Sequence, residues 1–147
     1  MKLWLGIDPG KSGGIAFIPE AGEPWAVSMP DTAKDLWECL QSAKLKMIQD
    51  SDCTAVLERV RSSPQMGVTS SFTFGRGYGQ LEMALLAAGI RYEDVTPQKW
   101  QKFLGCLTGG DKNVSKSRAQ QLFPSIKVTH AIADSLLIAE YARRNNL

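Results

Sequence analysis

Three short apolar runs at the start of the chain constrain its fold most. They cover residues 2–8, 15–18 and 25–29, and each break between them is short and contains Gly and Pro. Breaks of this length are too short for the crossover that joins two parallel neighbouring strands. The opening of the chain therefore predicts three antiparallel strands joined as a meander.

The middle of the chain alternates helical and strand patterns. Asp31 or Thr32 is suited to cap a first helix, whose apolar positions are Leu36, Leu40, Leu45 and Ile48. Residues 53–60 are rich in Val, Leu and Thr, which predicts a central parallel strand. A polar loop is expected at residues 61–71. A second helix is predicted from its apolar stripe, which consists of Phe74, Tyr78, Leu81, Leu85 and Ala88.

The last third of the chain is predominantly helical in its pattern. Gly89 is expected to end the second helix, and residues 90–95 predict a short strand. Further helices are predicted from Thr96-Pro97 to Phe103, at residues 112–122 and at residues 129–144. This order of elements predicts an α/β domain with a mixed sheet.

Composition is typical of a folded domain, and its charge is unevenly distributed. The 147 residues are 44% hydrophobic and 22% charged, which predicts one domain over residues 1–147. Lys and Arg outnumber Asp and Glu only 17 to 15, but between positions 59 and 127 ten basic residues accompany four acidic ones. A basic face suited to polyanions is one interpretation, and ordinary solvated charge is the other.

Cysteine spacing and hydropathy exclude several classes of protein. Cys39, Cys53 and Cys106 show no paired spacing, which argues against a disulfide scaffold and against a zinc site. The first residues lack the apolar core of a leader peptide. No apolar run approaches the roughly 18 residues of a membrane span. We therefore expect a cytoplasmic protein with no membrane partner.

Two carboxylates occur where apolar strands end. Asp8 closes the first strand, and Glu58 lies in the apolar run 55–60. A carboxylate in such surroundings is costly unless it is paired or binds a cation. The structural alternative is a bridge from Glu58 to Arg59 or Arg61. Arg59 is poorly placed for this, because adjacent strand residues point to opposite faces of a sheet.

A third carboxylate, Asp134, lies among small and apolar residues on the last predicted helix, four positions after His130. The two side chains share a helix face, so His130 is either a site residue or a helix-start residue bonded to Asp134. The three carboxylates can converge on one spot. Such oxygen ligands suit Mg²⁺ or Mn²⁺ rather than Zn²⁺. Two ions about 3.5–4 Å apart would activate a water and stabilise the leaving oxygen of a phosphodiester.

Three motifs together resemble the RuvC family of Holliday-junction resolvases. They are Gly6-Ile7-Asp8-Pro9-Gly10 with Gly13-Gly14, then Leu57-Glu58-Arg59-Val60, then the segment ADSLLIA at 133–139. Their order and distances match the family over nearly the whole chain. The segments FGRGYG at 74–79 and QLFP at 121–124 resemble the short phage and prophage branch. Actin-like ATPases open with a similar first motif, but the chain is too short for a two-lobed enzyme of that kind.

The resemblance implies an RNase H-like fold, with a five-stranded mixed sheet flanked by helices. It also implies a homodimer, in a bacterial or phage-infected cell, that cuts two symmetric strands of a four-way DNA junction in recombination and repair. Its cofactor would be Mg²⁺ or Mn²⁺, with two ions per site. Asp8 would bridge the ions, Glu58 would bind one and help to position the water, and Asp134 would bind the other.

One position departs from the family pattern. The family commonly has an acid or His three residues before the last Asp, and this chain has Ala131 there. Because three and four residues both make about one helical turn, His130 is a candidate fourth ligand. The alternatives are a site of three carboxylates and an inactive form.

Basic residues of the late helices are candidates for phosphate contacts, which fix the position of DNA without reading its sequence. By resemblance, a Lys in this region reaches the scissile phosphate. Lys116 is the first candidate and Lys112 the second, with Arg118 on the same predicted helix. A solvated helix surface is the alternative interpretation.

The second helix carries candidates for contact with the centre of a junction. Phe72 and Phe74 are aromatic residues on which opened bases could stack. The resemblance places this helix at the dimer interface, with Arg76 near the two-fold axis and close to DNA. Gly75 and Gly79, one turn apart, would permit close approach of DNA or of a partner helix.

The sequence thus predicts a metal-dependent, structure-selective DNA endonuclease. Two other functions fit the same residues. One is hydrolysis of RNA–DNA hybrids by a ribonuclease H with the same fold and acids. The other is a junction-binding module that does not cleave. An actin-like nucleotide binder is disfavoured by the length of the chain.

Overall fold

The computed structural model describes residues 1–47 and 51–147. Within these residues the strands are β1 (Lys2–Asp8), β2 (Gly14–Pro19), β3 (Trp25–Ser28), β4 (Asp52–Glu58) and β5 (Arg91–Val95). The helices are α1 (Ala33–Leu45), α2 (Val68–Ala87), α3 (Pro97–Phe103), α4 (Lys112–Leu122) and α5 (His130–Arg144).

The strands form one mixed sheet in the order β3-β2-β1-β4-β5. β1 pairs antiparallel with β2, and β2 pairs antiparallel with β3, so the predicted meander is confirmed. β4 joins β1 in parallel and β5 joins β4 in parallel, through the helical crossovers that parallel neighbours require. The predicted α/β class with a five-stranded mixed sheet flanked by helices is therefore confirmed.

Side chains of each strand alternate between two layers of helices. In β1 to β4, even-numbered residues such as Trp4 and Val56 belong to an apolar cluster with α3, α4 and α5. Odd-numbered residues of these strands, such as Leu5 and Leu57, pack with α1 and α2 on the other face. Asp8 and Glu58, both even-numbered, therefore lie on the α5 side of the sheet.

Two glycines let α5 lie close against the sheet. A Cβ atom at Gly6 would overlap the backbone of Ser135 and Ala139, and one at Gly14 would come within 2.8 Å of the Ala131 carbonyl oxygen. The small residues of α5 thus fit against glycines of β1 and β2. This close crossing brings the start of α5 to the end of β1.

The predicted face of α1 was partly wrong. Thr32 caps the helix, because its side chain accepts a hydrogen bond from the Asp35 amide at 3.1 Å. Leu36, Leu40 and Ala43 are buried, but Leu45 is 82% exposed. Nine residues separate Leu45 from Leu36, which places the two on opposite sides of a 3.6-residue helix. Ile48 lies outside the described residues.

The predicted loop at 61–71 was too long, because α2 begins at Val68. Its first turns contain Thr69, Ser70 and Ser71, residue types that usually favour caps and loops. The predicted stripe is otherwise confirmed, since Leu81, Leu85 and Ala88 are buried and Phe74 and Tyr78 are half-buried. Gly89 follows the helix with φ of +67°.

Two further predictions concern the chain as a whole. Cys39, Cys53 and Cys106 are free thiols. Among the described residues, no helix combines the length and the apolar character that crossing a membrane would need.

Candidate active site

Asp8 and Glu58 end two neighbouring parallel strands. The residues before them, Ile7 and Leu57, are register partners, so the two carboxylates leave the sheet at the same level. Both face α5, and both are half-buried. The bridge from Glu58 to Arg59 that the sequence left open is not formed, because the Arg59 guanidinium binds Asp94 at 2.9 and 3.0 Å.

The first turns of α5 face the same edge of the sheet. Asp134 and His130 line a cavity of about 120 Å³ together with Asp8. Pro9, Ser12, Gly13, Lys112, Ser115 and Ala133 complete its lining. Glu58 lies beside this cavity rather than in its wall, and it interacts electrostatically with Asp8 and Asp134. The structure thus brings the predicted acids and His130 into one neighbourhood.

The strand carboxylates are poorly solvated and repel other carboxylates. Burial, followed by the charges of Glu58 and Asp134, raises the pKa of Asp8 from 3.8 to about 8, although Lys112 opposes the rise. Burial and the Asp134 charge raise the pKa of Glu58 from 4.5 to about 7, against a hydrogen bond from Trp100. Shifts of this size mark carboxylates whose charge is not compensated by the protein.

Asp134 has more support than the two strand carboxylates. Burial raises its pKa, while the neighbouring Ser115 hydroxyl and the charges of Lys112 and His130 lower it. Ser115 is buried on α4 and donates its hydroxyl proton to the Lys112 carbonyl oxygen at 3.3 Å, whereas Lys112 is exposed one turn earlier. The two α4 residues therefore supply the polar surroundings of Asp134.

The donor atoms of this site suit a divalent cation, although their present arrangement does not enclose one. Within residues 1–47 and 51–147, no three His, Cys, Asp or Glu side chains form a group that could hold a metal ion as they stand. The donor set nevertheless fits in chemistry, because Asp8, Glu58 and Asp134 supply carboxylate oxygens, the ligands of Mg²⁺ and Mn²⁺. Their raised pKa values show that a positive charge at this edge would stabilise all three. The acids thus fit the ion but are not already gathered around it.

His130, and not Ala131, lines the cavity. His130 is the first residue of α5 and is exposed, and its charge acts on Asp134. The backbone carbonyl oxygen of Ala131 lies against Gly14 of β2. Ala131 is thus outside the cavity lining, and the residue before it, His130, lies in that lining together with Asp134.

The two candidate lysines are placed differently. Lys112 lines the cavity, whereas Lys116, the sequence's first candidate, is not in its lining. Arg118 is half-buried, with its Nε donating to the Leu104 carbonyl oxygen at 3.1 Å. Part of the hydrogen-bonding capacity of Arg118 is thus used within the protein. Of these three basic residues, Lys112 is the one in the cavity lining beside the acids.

The aromatic candidates lie on different sides of α2. Phe72 is 71% exposed. Phe74 is half-buried, and its ring would come within 2.9 Å of a Cβ at Gly10, the turn glycine with φ of +99° after Asp8-Pro9. Phe74 also lines a groove of about 960 Å³ with Lys11 and the exposed Arg76. The groove connects the loop beside Asp8 to one side of α2.

The sequence analysis missed two residues of the site. Trp100 donates its indole N–H to Glu58 at 2.8 Å, and Ser115 lines the cavity beside Asp134. The sequence offered only a general indication for Trp100, namely that a buried indole N–H usually finds a hydrogen-bond acceptor. Its partner is 42 residues away in sequence, and only the fold brings the two together.

Comparison with known proteins gives a structural match but no sequence match. No protein family and no curated protein matches the sequence. The structure of Thermus thermophilus RuvC matches with a TM-score of 0.63 at 17% identity, over 98% of this chain and 96% of that chain. The same protein in complex with its Holliday junction substrate matches with a TM-score of 0.62 at 16% identity, over 99% and 96% of the two chains. The yeast mitochondrial Holliday junction resolvase gives a lower score of 0.46 at 13% identity, over 97% and 83%.

The match extends over almost the full length of both chains. At this level of identity it establishes the fold, which is the RNase H-like fold of RuvC. The fold class expected from the motifs is therefore confirmed.

Proposed function

We propose that the protein is a metal-dependent, structure-selective DNA endonuclease that resolves four-way junctions by symmetric phosphodiester hydrolysis. The observation that carries this proposal is the placement of Asp8, Glu58 and Asp134 at one edge of an RNase H-like sheet, where no arginine of the described residues neutralises them. Other branched DNA belongs to the proposed range of substrates. The motifs at 74–79 and 121–124 favour the short phage and prophage branch, and hence the cytoplasm of a bacterial or phage-infected cell.

Asp8, Glu58 and Asp134 are the proposed ligands, with His130 as a fourth. When bound, Mg²⁺ or Mn²⁺ in two sites would supply a nucleophilic water and charge stabilisation for the leaving oxygen. Each of the three carboxylates interacts electrostatically with the other two, so they act as one cluster toward a cation. Binding requires these side chains to turn toward one another, because they repel in the protein alone.

The other polar residues at this edge have supporting roles. Ser115 lies beside the Asp134 carboxylate and favours its ionised form. Lys112, in the cavity wall, is the cation best placed to contact the scissile phosphate. Lys116 and Arg118 follow it on α4 and extend the positive surface along the DNA backbone. On the other side of the Asp8 loop, Lys11 and Arg76 offer two further phosphate contacts in the groove.

A second copy of the chain is the proposed partner, and α2 is its proposed interface. The apolar stripe that includes Leu81 and Leu85 packs on the sheet of its own chain. The outer stripe of α2 is exposed and consists of Val68, Phe72, Gly75, Gly79, Met83 and Leu86. Its spacing of three and four residues makes one continuous helix face. No atom lies within 4 Å of a Cβ built on Gly75 or Gly79, so a second helix can approach closely there.

A dimer explains how one acidic cluster per chain cuts two strands. Two-fold symmetry places two clusters in the same relation as the symmetric arms of a four-way junction. Exposed Phe72 and groove residue Phe74 would then lie near the junction centre, where unpaired bases stack on aromatic rings.

One assay separates this function from its alternatives. Labelled four-way, three-way, flap and linear DNA and an RNA–DNA hybrid are incubated with Mg²⁺, Mn²⁺ or EDTA, with Asp8→Asn as the inactive control. Paired incisions in the four-way junction that need the metal are the expected result. Cleavage of the hybrid in preference to the junction would identify a ribonuclease H instead. Tight junction binding without cleavage by any metal would identify a non-cleaving binding module.

A further inference from the structure

Trp100 is a wholly buried residue that reaches the candidate site. It lies on the short helix α3, and its side chain is 0% exposed within the apolar cluster that packs under α5. Its indole Nε1–H donates to Oε2 of Glu58 at 2.8 Å. Among the described residues, this is the hydrogen bond that holds the Glu58 side chain, and Oε1 of Glu58 receives none.

The chemistry of this donor differs from that of the partners that hold acids elsewhere in the protein. The Asp94 carboxylate is held by Arg59, and Glu140 is held by Arg143 and Arg144. An arginine orients a carboxylate and also neutralises it. An indole N–H orients one oxygen but brings no charge, so this hydrogen bond does not neutralise the Glu58 carboxylate and leaves its other oxygen unbonded.

We propose that Trp100 is a positioning residue, which fixes the Glu58 carboxylate so that its second oxygen is presented to a divalent cation. This inference rests on the proposed function, because it assumes that Glu58 is a metal ligand. Partners of this kind commonly change metal affinity by roughly 10- to 100-fold when they are removed.

The competing explanation is that Trp100 only fills the core. Trp4 is a matched control for that explanation. It belongs to the same apolar cluster and is 7% exposed. Its indole Nε1–H also makes a hydrogen bond, at 3.1 Å, but to the carbonyl oxygen of Leu147. Replacing either Trp by Phe removes an indole from the same core, and only one of the two replacements removes a bond to a candidate ligand.

The first test uses the intact protein without DNA. The chain has four tryptophans, so ¹⁵N labelling gives four indole N–H signals in a two-dimensional NMR spectrum. Glu58→Gln is expected to move the Trp100 signal in metal-free protein, and Mg²⁺ is expected to move it on titration, whereas the Trp4 signal stays in place in both cases. A Trp100 signal that responds to neither change would overturn the inference without any variant at Trp100.

The second test measures Mn²⁺ affinity by calorimetry on folded protein, with folding checked by circular dichroism. Trp100→Phe is expected to weaken binding at least tenfold, and Trp4→Phe to change it less than twofold. Trp100→Phe added to Glu58→Gln is expected to cause no further loss, because its effect passes through Glu58. Equal affinities for the parent and Trp100→Phe would overturn the inference and leave the proposed function standing. A parent protein that binds no Mn²⁺ would instead overturn the metal-dependent function and the inference with it.

Discussion

Replacing Asp8 by Asn should change how the stability of the metal-free protein depends on pH. Asp8 has a pKa of 3.8 in ordinary surroundings and about 8 in the folded chain. The folded state therefore holds a proton more tightly than the unfolded state between these values. Stability contributed by the protonated group is complete below about pH 4 and is lost as the pH rises through 8. Because Asn does not ionise, the stability of the Asp8→Asn variant does not fall over this pH range for this reason.

The expected size follows from the shift. Each pH unit across the interval lowers the unfolding free energy of the parent, relative to Asp8→Asn, by about 1.4 kcal/mol. The full shift would amount to about 6 kcal/mol. Because Asp8 is only half-buried and lines an open cavity, screening by solvent reduces this value. We expect the difference to grow by about 2–4 kcal/mol between about pH 5 and pH 8.

Urea denaturation in EDTA, followed by circular dichroism at four pH values, measures this difference. Asp94→Asn is the control of opposite sign, because Arg59 holds the pKa of Asp94 below its usual range. That variant should lose stability relative to the parent as the pH rises toward about 4, the ordinary pKa of Asp, and the difference should be constant above that pH. A constant offset between the parent and Asp8→Asn at every pH would refute the reasoning, because uncompensated charge at Asp8 predicts a slope. In a second series at about pH 8, Mg²⁺ should stabilise the parent more than Asp8→Asn.

Three further predictions concern the ligands, the interface and the DNA surface. His130→Ala should lower the single-turnover rate of junction cleavage at least tenfold with little change in melting temperature. A fall in melting temperature with an unchanged rate per folded molecule would instead show that His130 only stabilises the start of α5. Gly79→Leu should shift sedimentation at micromolar concentration toward the monomer and uncouple the two incisions, whereas Gly77→Leu, on the same helix but off the outer stripe, should leave the dimer intact. Lys112→Ala should slow cleavage more than Lys116→Ala, and each should reduce the salt dependence of junction binding by about one unit of slope.

The parts of the fold that the sequence predicted well are those where one periodicity dominates. β1 and α4 have their predicted bounds because each is a single pattern between clear breaks. Leu45 was assigned to the buried face of α1 because it is apolar, although its angular position on the helix places it in solvent. The start of α2 was missed because its Ser and Thr residues favour loops locally. Local preference and packing disagree at these places, and packing determines the structure.

The candidate site shows the same division. Asp8, Glu58 and Asp134 could be found from sequence because charge inside apolar surroundings is costly wherever it occurs. Sequence alone could not predict which of Lys112 and Lys116 lies closer to the acids, because the two residues are one turn apart on α4. The direction of α4 relative to the sheet decides which end of the helix meets the acids. The bond from Trp100 to Glu58 was also beyond sequence reasoning, since it joins separate elements across the core.

The candidate site differs from the other acidic positions of this chain in how the carboxylate charge is neutralised, and this difference is visible within the chain itself. Asp94 lies on the edge strand β5 and Asp52 at the start of β4, and each is bound by an arginine. Each of those charges is therefore paired within the protein. Asp8 and Glu58 lie at the carboxyl ends of β1 and β4, where none of the described residues is an arginine bound to them, and the hydrogen bond to Glu58 comes from a neutral indole. A fold that orients several carboxylates without neutralising them loses stability at neutral pH, and that loss is reversed when a cation binds there. The same sheet edge therefore provides both the instability and the affinity for a positive charge.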